Sequence, residues 1–404
     1  MPKVLVDKIK IAKFLTRGAE ALYPSSSELK AKLESGQRLR VYQGFDPTGP
    51  YLHVGHAVGI RALRLLQELG HEVIFLVGDY TAKVGDPDKD TTRKLLTNEE
   101  IETNMQGWKK QVAKLIDFEG DNPVLFMRNY DWLSKLNLGD LIKLMAHATV
   151  QQMLERDLFQ KRLTAQSTIR LQEFIYPLMQ GYDSVAMEVD LEIGGTDQTF
   201  NMLMGRHLVK EYLGKEKYVR TNKMMDAPDG RTMSKTKGNG INLSDTPNQM
   251  YGKAMSYDDA HILVGLELLT DTTDQELVEI KQAMDSGANP MLYKKLMAKR
   301  IVELLYGNQS ACQAEKDFVQ TVQRKTVAED RIVSVNAVGT MPIAEFLKHA
   351  LAGTQSSSNI KRTMEQGGVE LNGKKVTDPT KSFDFDRAVL VKFGKRAFFR
   401  PQKP

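Results

Sequence analysis

Two of the chain's seven histidines, His53 and His56, stand three residues apart in GFDPTGPYLHVGH (44–56), just after Gly44, Asp46 and Thr48. That spacing allows a metal pair, a helix cap or an anion site. Residues three apart at a helix start share a face, and the free N–H groups and dipole there attract negative charge. Imidazoles so placed can donate hydrogen bonds to phosphate oxygens. A zinc pair is the weaker reading, because no third Cys or His ligand stands nearby. One histidine capping the helix and one buried is the ordinary alternative. A second segment, GRTMSKTKGNG (230–240), combines three glycines with Arg231, Ser234, Lys235, Thr236 and Lys237. A cationic, hydroxyl-rich loop of this kind is suited to closing over triphosphate, its alternative being an exposed surface loop. A third, FIYPLMQGYD (174–183), sets Tyr176, Gln180 and Asp183 at i, i+4 and i+7, one helix face. Pro177 either opens that helix or kinks it.

The elements that must position these residues follow from periodicity. RLRVYQGF (38–45) reads as a buried strand running into the Gly-Phe-Asp-Pro turn, and HAVGIRALRLLQELG (56–70) as a helix stopped by glycine. HEVIFLVGDY (71–80), PVLFMRN (123–129) and VDLEIGG (189–195) read as further strands, the last followed by a helix over 197–213. Residues 141–157 read as helical. Strand, turn, helix, strand at these lengths predicts an α/β fold, a Rossmann-like doubly wound parallel sheet with a helical insertion. Ligands of such sheets bind beyond the carboxyl ends of the strands, where GFDPTGP and VGDYTAKVGDP both fall. From about Asp226 helical patterns replace the alternation, and EDRIVSVNAVGTMP (329–342) reads as a linker. Expected domains are therefore 1–225, catalytic; 226–330, α-helical, with the glycine loop at its start; and 341–404, a small basic α+β module.

Composition sets the bounds. With 41% hydrophobic and 26% charged residues in 404, this is ordinary globular material. No apolar run reaches the ~18 residues of a membrane span, and MPKVLVDKIK lacks a signal-like apolar core, so a cytoplasmic location is expected. One cysteine, Cys312, excludes an intrachain disulfide and a multi-cysteine zinc site. The net charge of +5 is uneven: residues 341–404 hold twelve basic and six acidic side chains. A basic module on a near-neutral body suggests a polyanion partner; a solvated tail is the alternative.

Taken together, the two glycine-containing segments resemble the paired signatures of class I aminoacyl-tRNA synthetases. HVGH stands where that family writes His-Ile-Gly-His, and TMSKT where it writes Lys-Met-Ser-Lys-Ser. Thr232 departs from the pattern at the first lysine, which puts more weight on Lys235, with Arg231 as a substitute. VYQGFDPT, FIYPLMQGYD and IGGTDQ resemble the bacterial-type tyrosyl-tRNA synthetases, and SSSNIKRTMEQGGVELNGKKV resembles the small RNA-binding fold that often ends them.

The resemblance implies activation of tyrosine by ATP, followed by transfer to the 3′ end of tRNA(Tyr), with 226–330 binding the anticodon. It implies that Tyr176, Gln180 and Asp86 hold the α-amino group, and that Asp183 and Tyr42 hold the phenol. Gln198 matches the substrate carboxyl region. Gly44, Asp46, Gly195 and Asp197 belong to the ATP site. Thr48 and His53 would contact the leaving pyrophosphate, His56 the nucleotide, and Lys235 the phosphates. Mg²⁺ is expected with the ATP phosphates rather than in a protein cage, and a homodimer through the stretch near 130–165. Two rivals are a tryptophanyl enzyme, which leaves the Tyr42 and Asp183 pairing unexplained, and an RNA-binding regulator with an inactive synthetase body. Intact Thr48, His53, His56 and Lys235 argue against the second.

Overall fold

The computed structural model describes residues 2–86, 96–228, 230, 233, 239–320, 332–337, 339–351, 354–386, 390–394 and 397–402. Contacts divide the chain into two compact units, Met1–Ala314 and Glu315–Pro404. The boundary expected near residue 226 falls inside the first.

The first unit is built on six strands: β1 (Ala19–Tyr23), β2 (Arg40–Phe45), β3 (Glu72–Val77), β4 (Leu125–Arg128), β5 (Leu191–Gly195) and β6 (Tyr218–Asn222). Their order is β1-β6-β5-β2-β3-β4, all parallel except β1 against β6. The apolar run EVIFLV in β3 is buried at five of six positions, as a parallel strand covered on both faces requires. The chain proceeds from β2 to β3 and β4 on one side, then returns to β5 and β6 on the other. The reversal lies between β2 and β5, where Tyr42 pairs with Glu192; ligands of such sheets bind beyond the carboxyl ends of the strands at this point.

Helices flank the sheet largely where the periodicity puts them. Val54–Glu68 buries Ala57, Ile60 and Leu63. Pro177 sits in the first turn of Tyr176–Ala186, so it opens that helix. Thr199–Leu213 follows β5 and crosses the Tyr176–Ala186 helix closely, because Gly181 and Gly205 meet: a Cβ on Gly181 would lie 3.2 Å from the Gly205 nitrogen. Residues 141–157, expected as one helical stretch, are divided among Leu138–Met145, Val150–Leu154 and Asp157–Thr164. The Thr149 hydroxyl accepts from the Gln152 N–H and starts the second of these afresh. Beyond 226 the pattern is helical, through Pro247–Ala254, Ile262–Leu269, Asp274–Asp285 and Pro290–Phe318, the last broken at Gly307 (φ 78°).

The second unit has its own core of Ile343, Phe346, Leu347, Ile360, Met364, Val369 and Val391. Its strands are β7 (Ile332–Asn336), β8 (Thr340–Pro342), β9 (Val369–Leu371), β10 (Lys374–Lys375), β11 (Ser382–Asp384), β12 (Val391–Phe393) and β13 (Ala397–Gln402). The described residues of the segment 329–342, expected as a linker, are instead largely part of this unit's sheets: β7 runs parallel to β13, and β8 pairs with β11. The alternation in IVSV reads equally as a strand, and the edge of β13 supplies the partner. Among the described residues no helix is long and apolar enough to cross a membrane.

Candidate active site

At the carboxyl end of β2 the chain turns through Asp46 and Thr48, whose N–H bonds the Asp46 carbonyl (2.8 Å), and enters the Val54–Glu68 helix at His53. Gly44 is exposed there. The His53 and His56 rings lie 3.8 Å apart. His56 Nδ1 accepts the His53 backbone N–H (3.1 Å), which leaves the proton of a neutral ring on Nε2.

The glycine loop arrives at this same corner. Val54 N–H donates to the Ile241 carbonyl (2.9 Å), Leu243 N–H donates to Leu52 (2.8 Å), and His53 pairs with Asn242. Met233 is buried; a Cβ on Gly55 would lie 3.8 Å from its methyl, and one on Gly240 2.9 Å from its sulfur. Two segments far apart in sequence thus meet over the helix start. Lys235, with Arg231, Thr232, Ser234, Thr236 and Lys237, lies outside the described residues.

Beside this corner runs a chain of polar side chains. Asp46 accepts from the Tyr176 hydroxyl (2.9 Å) and the Thr81 hydroxyl (2.8 Å). Asn129 Nδ2 donates to Thr81 (3.0 Å) and to Asp183 Oδ2 (3.1 Å), while Trp132 Nε1 donates to Asp183 Oδ1 (2.7 Å). Gly78 makes the crossing feasible, since a Cβ there would lie 2.1 Å from Asp46 Oδ1. Asp183 is 2% exposed. Burial raises its pKa well above the usual carboxylate range, against the pull of the Trp132 and Asn129 donors. Each of its oxygens accepts one hydrogen bond and keeps a lone pair for a further donor such as a phenol hydroxyl.

Tyr42 points from β2 into the interior, wholly buried, its hydroxyl 2.8 Å from Ser184 Oγ. Burial, then Glu192 and Asp183, raise its pKa well above the ordinary phenol value, so it stays neutral. No hydrogen bond joins Tyr42 to Asp183; the two occupy neighbouring networks. Gln180 donates to Glu192 Oε1 (3.0 Å).

Asp86 forms a third cluster, accepting from Gln198 (2.7 Å), Arg156 (3.1 Å) and Asn201 (3.4 Å). Gln198 also reaches Asp197 (3.2 Å), and Gly195 permits that turn, a Cβ there falling 2.3 Å from Asp197 Oδ1. A separate cavity of 280 Å³, lined by Lys13, Arg61, Arg64, Lys114 and Leu304 among others, shares none of these residues.

Sequence reasoning missed Thr81, Asn129, Trp132, Ser184, Glu192 and Lys217. Signals existed for two. Asn129 sits at the carboxyl end of a strand, a place already marked for ligands. Glu192 is a charged residue within the apolar strand VDLEIGG, which a buried partner must explain.

Residues 34–323 match the family model of class I tRNA synthetases (W and Y). The chain is 40% identical over 385 residues to a tyrosine–tRNA ligase of Legionella pneumophila, covering 95% of each chain. It is 40% identical over 398 residues to that of Nitrosospira multiformis, covering 98% of this chain and 97% of the relative. In fold it is similar to a C-terminally truncated mitochondrial tyrosyl-tRNA synthetase of Coccidioides posadasii (TM-score 0.61, 23% identity, 77% of this chain and 95% of that one). It is also similar to the Archaeoglobus fulgidus tyrosyl-tRNA synthetase complexed with L-tyrosine (TM-score 0.59, 24% identity, 76% of this chain and 100% of that one).

Proposed function

The chain belongs to the class I tRNA synthetases of the tryptophan and tyrosine type, and from that premise we infer that it is a tyrosine–tRNA ligase. The tyrosine carboxylate attacks the α-phosphorus of ATP, and pyrophosphate leaves. A hydroxyl of the terminal tRNA ribose then attacks the carbonyl carbon, and AMP leaves. Neither step needs a covalent enzyme intermediate, so catalysis is positioning plus stabilisation of charge developing on phosphate.

The observation that carries this reading is that residues 241–243, just after the glycine loop, are hydrogen-bonded to the entry of the His53 helix, with Met233 against the same corner. We assign Lys235 to the ATP phosphates on the family resemblance alone, since it lies outside the described residues. We assign Thr48 and His53 to the leaving pyrophosphate, His56 to the nucleotide, and Gly44, Asp46, Gly195 and Asp197 to the ATP site. Mg²⁺ comes with the ATP phosphates. Asp183 and Tyr42 take the phenol; Tyr176, Gln180 and Asp86 take the ammonium, and Gln198 the carboxyl region. Asp183 is suited to its role because a buried carboxylate favours a ligand that brings it a proton donor.

We assign 226–330 to recognition of the anticodon and 341–404 to RNA binding, in a cytoplasmic homodimer. The dimer reading is supported by exposed apolar side chains at Tyr130, Leu138, Ile142, Met145 and Val150; a monomer in sedimentation at micromolar concentration would remove it. Amino-acid-dependent ATP–pyrophosphate exchange, run over all twenty amino acids, tests the activity. Tyrosine alone should support it; exchange with tryptophan instead, or with none, overturns the reading.

A further inference from the structure

Beneath the amino-acid pocket lies an ion pair with no part in the chemistry assigned above. Glu192 on β5 is 2% exposed and Lys217 is fully buried. The Lys217 ammonium bonds Glu192 Oε2, Ser184 Oγ (2.7 Å) and the Met202 carbonyl (3.3 Å). Gly205 leaves room for it, since a Cβ there would lie 2.5 Å from Nζ. Burial lowers the Lys217 pKa, and Glu192 opposes that shift. A buried ion pair is weak evidence of net stability, and apolar replacements are often neutral. Its geometry points elsewhere.

The other Glu192 oxygen, Oε1, accepts from Gln180 Nε2 at 3.0 Å. An ionised carboxylate offers only acceptors. The Gln180 amide must therefore turn its nitrogen inward and its oxygen away. Gln180 is half-buried, one helical turn beyond Tyr176, and no described residue donates to that oxygen. An amide oxygen is the end that can accept from an ammonium.

We infer that Glu192, held in place by its ion pair with Lys217, is a positioning residue that fixes the Gln180 amide with its oxygen toward the α-ammonium of the amino-acid substrate. This rests on the assignment of Gln180 to the ammonium. Removing the charge at Glu192 frees the amide to turn, and a turned amide presents N–H groups to a cation. The loss should fall on ligands that carry the amino group and spare those that lack it.

The test compares L-tyrosine with 3-(4-hydroxyphenyl)propanoate, which lacks only the amino group, using the full-length protein. In pyrophosphate exchange, Glu192→Gln should raise the tyrosine KM about tenfold or more, the scale of one charged hydrogen bond, with kcat little changed. The inhibition constant of the propanoate should stay within about twofold, since it makes no ammonium contact. Because Glu192→Gln leaves Lys217 without its anion, Glu192→Gln/Lys217→Met removes both charges together and should show the same selective loss. The exchanged pair Glu192→Gln/Gln180→Glu places a carboxylate toward the ammonium and should recover tyrosine affinity. Equal weakening of both ligands, an unchanged tyrosine KM, or no recovery in the exchanged pair would overturn the inference. Gln180→Ala reads the underlying assignment separately. If tyrosine KM is unchanged there, the ammonium contact itself is wrong; if it rises there but not in Glu192→Gln, only the positioning role fails.

Discussion

Asp183 accepts a hydrogen bond at each carboxylate oxygen, from Trp132 and Asn129, and has lone pairs left for a ligand. Losing a hydrogen bond to a charged group costs ~1.5–3 kcal/mol, so Asp183→Ala should lower kcat/KM for tyrosine about ten- to a hundredfold. Phenylalanine brings no hydroxyl, and its activation should stay level or rise. Exchange kinetics with both amino acids on this one variant measure the ratio; an unchanged preference would take Asp183 out of the pocket. His71 gives a second prediction at this scale. Its Nδ1 accepts the Leu39 N–H (3.2 Å), and burial, with Arg38 nearby, lowers its pKa from 6.5 to about 4. The unfolded chain binds that proton near pH 6.5, so lowering the pH from 6.5 toward 4 favours unfolding. The stability at stake is fully present above pH 6.5 and falls by roughly 2 kcal/mol by pH 5. Denaturant titrations at pH 7 and 5 should show this loss in the parent and a smaller one in His71→Asn.

Among the elements, the crossing of Tyr176–Ala186 and Thr199–Leu213 governs the site, since one helix carries Tyr176, Gln180 and Asp183 and the other leads away from β5. Their approach depends on the absence of side chains. A Cβ on Gly181 would lie 2.7 Å from Leu208 Cδ1 and 3.2 Å from a backbone nitrogen, and only the first of these can yield by rotating. Gly181→Ala should therefore destabilise the fold by ~1–3 kcal/mol despite alanine's better helix propensity. It should also raise the tyrosine KM by displacing Gln180. A midpoint of unfolding equal to or above the parent's would show that the crossing has slack.

For the whole molecule, the proposed site residues all fall within the bounds of the first unit and the basic stretch within those of the second. The proposed tail begins at 341, yet β7 (Ile332–Asn336) pairs with β13 (Ala397–Gln402) in the second unit's sheet. A cut at 341 would strand β7, so the informative truncation removes 321–404. That protein should keep tyrosine-dependent exchange and charge tRNA poorly. The penalty relative to full length should shrink as salt rises, because added salt already weakens the phosphate contacts the tail supplies. Normal charging by the truncated chain would leave the tail a solvated appendage.

Local sequence was enough for the strands β2, β3 and β5 and the Val54–Glu68 helix, because apolar periodicity and glycine punctuation act over a few residues. It was also enough to place Tyr176, Gln180 and Asp183 on one face. Pairing lay beyond it. Whether IVSV joins a sheet depends on a strand some 65 residues later. Residues 141–157 broke where Thr149 offered a cap stronger than helix continuation. The same limit held inside the site. Type and spacing marked Asp46, Tyr42 and Asp183, but their partners Thr81, Ser184, Asn129 and Trp132 come from other strands and helices. Lys217 reads in sequence as one more surface lysine. Only the packing of β5 against Gly205 buries it beside Glu192, because the cost of an enclosed charge is set by what surrounds it and not by its neighbours in the chain.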